Sequence, residues 1–175
     1  MTTRTDESDL LTAIGRALIA HYRDLSNPWY GWVLPAYQAG PYRAVVDDLV
    51  ARGTRVSDET DLNDDVSCRY CVSRDGVRLI VELSLVGPYA VVVGTEAERN
   101  EPITPALLAS ALARDVLAVL AAHGLCVLDA DTLRTPSNMP FQNVEAGRAT
   151  LYQALFSDTP APFEMDGCRG RDPAP

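Results

Sequence analysis

The sequence predicts an α+β fold in a single domain: an antiparallel β-sheet meander with one long helix on a face and two N-terminal helices, in the order αα-βββ-α-ββ. Three observations carry this. Apolar residues recur at helical spacing near the start and again across residues 104–123, and between them Asp75-Gly76 separates two β-rich runs of alternating sequence. The length of 175 residues, 47% hydrophobic and 22% charged, suits one sizeable core but not two.

The first helix follows from Leu11, Ile14, Leu18, Tyr22 and Leu25, which share one stripe, with Ser8 able to cap it and Pro28 beyond its end. A linker over residues 26–40 leads to a second, shorter helix that begins near Pro41, stops at Gly53 and turns Val45, Val46 and Leu49 inward. The Asp75-Gly76 turn then sets a register. Pairing Arg74 with Val77 puts Val72, Tyr70, Cys68 and Val66 opposite Leu79, Val81, Leu83 and Leu85 on an apolar face, and Ser73, Cys71, Arg69 and Ser67 opposite Arg78, Ile80, Glu82 and Ser84 on a mixed one. That pattern predicts one packed face. A third strand follows over residues 89–94. The longest helix comes next, with Thr104 as cap, Pro105 at its first position, Leu108, Leu112, Val116 and Leu120 as its stripe, and Gly124 past its end. Residues 125–128 read as a fourth strand and 149–156 as a fifth. The domain thus spans residues 1–157, and 158–175, rich in Pro, Gly and charge, read as a disordered tail.

A net charge of −9 argues against nucleic-acid or anionic-membrane partners, because binding polyphosphate requires cations to neutralise it. A basic protein is the partner that this charge suits. All fifteen basic side chains are Arg. The absence of lysine removes Schiff-base chemistry and phosphate-loop lysines, and it matches the Ala-, Val- and Arg-rich usage of a GC-rich bacterial genome. The first nine residues show no basic segment followed by an apolar run, and the apolar stretch 106–125 is broken by Arg114, Asp115 and His123. A cytoplasmic protein with reduced cysteines is therefore expected.

Cys68 and Cys71 have the spacing of redox and zinc sites, but on an extended strand they point to opposite faces, so neither metal nor redox cofactor is expected. Asp61, Asn63 and Asp65 copy the first ligand positions of a calcium loop, but its glycine and glutamate positions are Val66 and Val72. His21, Glu82 and Asp129 are the available acid/base groups. They assemble into no nucleophile motif, His123 reads as a helix-end cation, and Arg69 across the hairpin gives Glu82 a structural partner. No catalytic residue is assigned.

Two features point to binding instead. Trp29, Tyr30, Trp32, Tyr37 and Tyr42 are interleaved with Pro and Gly, an arrangement that interfaces use because large rings bury area at low entropic cost. They equally suit a hydrophobic flap that closes the core. Between Asp47 and Asp65, seven carboxylates face only Arg52 and Arg55, and Asp58, Glu59, Asp61, Asp64 and Asp65 crowd one short stretch that would steer a cation. The expectation is a non-enzymatic acidic protein-binding module, in concrete form an immunity protein that neutralises a basic toxin. The alternatives are a secretion chaperone or adaptor, which would form a homodimer through the last strand or the long helix, and a small-molecule enzyme with a pocket lined by Trp29, Trp32 and Tyr37.

Overall fold

A computed structural model describes residues 4–96, 99–102, 110–142, 144–145, 147–159 and 161. It is an α+β domain in which one sheet is covered on both faces. Helix α1 (Arg4–Tyr22) ends where Arg23 turns to φ 66°. The aromatic linker contains a short helix, α2 (Val33–Gln38), which the sequence reading did not foresee. Helix α3 (Arg43–Ala51) follows and stops at Gly53, φ 78°.

The sheet runs in the order β1 (Arg55–Asp58), β2 (Ser67–Arg74), β3 (Val77–Ser84), β4 (Tyr89–Glu96) and β5 (Arg99–Pro102), each antiparallel to its neighbour. The hairpin has the register expected of it, from Arg74 opposite Val77 through Arg69 opposite Glu82 to Ser67 opposite Ser84. Its two turn residues both have positive φ, 53° at Asp75 and 79° at Gly76, as a type I′ turn requires. A Cβ at Gly76 would meet nothing within 4 Å, so the cost of Gly76→Ala is conformational alone. We expect about 1 kcal/mol, read by urea denaturation, with an unchanged denaturant slope.

Helix α4 (Ala111–Ala122) lies on the predicted apolar face. Leu112, Val116, Val119 and Leu120 pack with Val45 and Leu49 of α3 against Val72, Leu79, Val81, Leu83, Ala90 and Val92. Ser110, extended at ψ 142°, caps α4 by accepting from the Ala113 amide at 3.0 Å. The expected cap residues Thr104 and Pro105, and Leu108 of the stripe, lie outside the described residues. The helix is pinned at both ends: Arg74 of the hairpin bonds Asp115 at 2.7 Å, and His123 bonds Asp48 of α3 at 2.7 Å.

The mixed face departs from expectation, because it too is buried. Cys71, Ile80, Val91 and Val93 pack against Ile14, Leu18 and Tyr22 of α1 and against Tyr152, Leu155 and Phe156. The physical reason is legible in β3 and β4, which read Leu-Ile-Val and Val-Val-Val and so are apolar at both parities, as strands covered on both faces are. Two further elements differ. The fourth strand is only β6 (Cys126–Val127), and it pairs parallel to β4 because helix α4 carries the chain back across the sheet. The sheet is therefore mixed. After a short helix, α5 (Ala130–Leu133), the expected fifth strand is instead helix α6 (Leu151–Leu155). Thr150 and Gln153 form a capping box there, with Gln153 Oε1 accepting from the Thr150 amide at 2.8 Å. Ser157, the last residue of the expected domain, bridges Asp65. Of the expected tail, the Asp158 amide donates to the Asp64 carbonyl and Ala161 is fully buried, while residues 160 and 162–175 lie outside the described residues. Among the described residues, no helix is long and apolar enough to cross a membrane.

Candidate functional site: the cleft at the sheet edge

The aromatic linker divides into a packed part and an open part. Tyr22 anchors it, donating from its hydroxyl to the Ala154 carbonyl at 2.9 Å and meeting the rings of Tyr30 and Trp32 edge-on at 5.4 and 5.5 Å. Trp32 packs inward and also meets His21 at 4.8 Å. Trp29, 44% exposed, lies under the Arg23 guanidinium at 3.8 Å, and Tyr30 is 41% exposed. Tyr42 is half-buried and donates to the Ser84 carbonyl, fixing the start of α3 over the sheet. Trp32 and Tyr42 are thus occupied in joining helices to sheet, whereas Trp29 and Tyr30 stay exposed beside the end of α1.

Tyr37 is different. Its hydroxyl donates to Asp58 Oδ2 at 2.9 Å and so ties α2 to the edge strand β1. Beneath this bond opens a cleft of about 400 Å³. Tyr37, Pro41, Arg43 and Val46 wall it on the helical side, and Val56, Asp58, Cys68 and Tyr70 form its floor on the sheet. Cross-strand pairing explains the floor, because Val56 opposite Val72 and Asp58 opposite Tyr70 share one sheet face with Cys68. Burial pushes the Asp58 carboxyl up, but hydrogen bonds from the Thr60 hydroxyl and amide and from Tyr37 outweigh it and hold the acid below its usual range. Asp58 is therefore ionised at neutral pH. Burial raises the Cys68 thiol to about 11, so this cysteine is a protonated, unreactive wall of the cleft.

The other acids fall into distinct roles. Glu59 pairs with Arg78 at 3.1 Å. Asp61 accepts from the Asn63 amide and side chain at 3.0 and 2.8 Å, and its own amide donates to Asp65 at 2.9 Å. Asp64 accepts from the Asp158 amide through its carbonyl. Asp65 is only 5% exposed, and burial raises its carboxyl, so it lies beneath the acidic surface that Asp58, Glu59 and Asp61 present. Cys68 and Cys71 face opposite sides of β2, and the Cys71 sulfur accepts from Arg78 Nε at 2.8 Å. Among the described residues, no three His, Cys, Asp or Glu side chains are grouped to hold a metal ion.

The three acid/base candidates do not meet in the cleft. His21 bonds the Ala17 carbonyl, and Asp129 caps α5 by accepting from the Thr132 amide at 2.8 Å. Glu82 is buried on the other face, 3.4 Å from Arg69, and accepts from the Tyr152 hydroxyl at 3.2 Å. Sequence reasoning missed Val56 and Tyr70 as cleft residues. The signal that could have found Tyr70 is its hairpin parity, which places it on the face of Cys68; Val56 needs β1, a strand too short to show alternation. Comparison with known protein families, with characterised proteins and with solved structures found no match.

Proposed function

We propose that this chain is a protein-binding module that captures a basic partner, in concrete form an immunity protein that masks a cationic toxin. The observation that carries the proposal is the Tyr37–Asp58 hydrogen bond, which joins the aromatic linker and the acidic segment into one surface beside an open cleft. An ionised carboxylate between Tyr37 and Tyr70 suits a lysine or arginine side chain, whose charge meets Asp58 and whose stem lies along the rings. The net charge of −9 supplies the steering field.

The test begins with capture of the partner from a lysate of the source cell, released by salt and identified. Its association rate is then compared between the native chain and a variant carrying Asp58→Asn, Glu59→Gln, Asp61→Asn and Asp64→Asn. Asp65 stays intact because it is buried. The variant is expected to associate about tenfold more slowly at low salt, with a flatter salt dependence. Identical rates and salt slopes would remove the acidic surface from the interaction.

A further inference from the structure

We propose that β1 is an acceptor edge, and that the basic partner binds by adding an extended, lysine- or arginine-bearing strand to it beside the cleft. This rests on the reading of the acidic surface given above and deepens it by specifying the partner's conformation.

In an antiparallel ladder, backbone groups point alternately toward and away from the neighbouring strand. The Glu59 amide donates to the Arg69 carbonyl at 2.8 Å, so residue 59 faces β2. Counting back by twos, Ser57 opposite Cys71 and Arg55 opposite Ser73 face β2 as well. Val56 and Asp58 therefore turn their backbone N–H and C=O groups outward, to the side of β1 that carries no strand among the described residues. Arg55, Ser57 and Asp58 are exposed and Val56 is half-buried, so solvent reaches this strand.

The same two residues line the cleft with their side chains. Any strand added to β1 would set alternate side chains over Val56 and Asp58, on the cleft side of the sheet. A cationic side chain there reaches Asp58, which accepts from neutral donors only, Thr60 and Tyr37, among the described residues. Charge decides between occupants. A second copy of this chain would bring a net charge of −9 against its like, whereas a basic strand meets complementary charge. Short length and charge also suit β1 to selective pairing, because they blunt indiscriminate edge-to-edge association.

Amide exchange read by NMR on the full chain tests this, with two end-blocked peptide probes of alternating lysine and valine or alternating glutamate and valine. Saturating basic peptide is expected to slow exchange at the Val56 and Asp58 amides by about tenfold or more, to leave Ser57 and Glu59 nearly unchanged, and to have no counterpart with the acidic peptide. Val56→Pro removes one outward donor and no β1–β2 bond, and should weaken the basic peptide about tenfold; the exchange measurement on the native chain stands should that variant not fold. Salt-sensitive binding without protection at Val56 and Asp58 would overturn strand addition and leave the acidic surface reading in place. Protection that grows with protein concentration alone would assign the edge to a second copy and overturn the basic-strand proposal. If neither peptide binds, strand addition is overturned and capture of the cellular partner decides the broader reading by itself.

Discussion

Glu82→Gln is expected to make the protein more stable at pH 8 and to remove a component of its pH dependence worth up to about 3 kcal/mol. Glu82 is 1% exposed, and its Oε2 has no hydrogen-bond partner among the described residues. Burial is the largest influence on its carboxyl and pushes it up to about 7; Arg69 and the Tyr152 hydroxyl pull it down, and the nearby Asp65 pushes it further up. A folded-state value above the unfolded one means that the native protein holds this proton after the unfolded chain has lost it. The resulting stability is fully present below about pH 4.5, is lost as pH rises toward 7 and is absent at pH 8. Gln keeps the shape of the protonated acid without the ionisation.

The measurement is urea unfolding of both proteins at pH 5 and pH 8. Taking the difference between the variants cancels every titration that they share. Asp65 acts in the same direction, since burial raises it too, so a residual slope in Glu82→Gln should shrink further in the double variant with Asp65→Asn. A difference between the proteins that is the same at both pH values would mean that Glu82 is ionised in the folded protein throughout, held by Arg69 despite its burial.

Glu82 also shows which parts of this fold could be read in advance. Its partner Arg69 was legible because the hairpin is local: Asp75-Gly76 fixes the turn, and the turn fixes every pairing behind it. The stripe of α4 was legible for the same reason, through period rather than turn. The second covered face was not foreseen, because Ser67, Arg69, Glu82 and Ser84 look solvent-facing until their partners are known. Those partners are distant in sequence: Ser84 donates to the Leu155 carbonyl and Glu82 accepts from Tyr152. Helix α6 was misread as a strand because Leu151, Tyr152, Ala154, Leu155 and Phe156 are apolar all round, which removes the periodicity that separates helix from strand. The Thr150 and Gln153 spacing was the available clue. For the cleft, the rings and the acids were each visible as composition, but nothing local says that Tyr37 reaches Asp58 across 21 positions.

Phe156→Ala is expected to cost about 3–5 kcal/mol, a large share of the stability of a domain this size. Phe156 is fully buried and stacks with Tyr152 at 5.8 Å, in the layer that seals the second face of the sheet. Its backbone carbonyl accepts from the Val66 amide at 2.9 Å, a bond that the substitution spares, so the loss is one of packing. Val127→Ala, at a position 37% exposed, serves as the control and should change stability by about 0.5 kcal/mol or less. Urea denaturation reads both. A cost near that of the control would mean that residues 150–157 do not close this face. Glu82 would then sit in water with an ordinary carboxyl, and its pH signature would vanish as well, so the two measurements must agree: a buried Phe156 and a Glu82 raised to about 7 require the same lid.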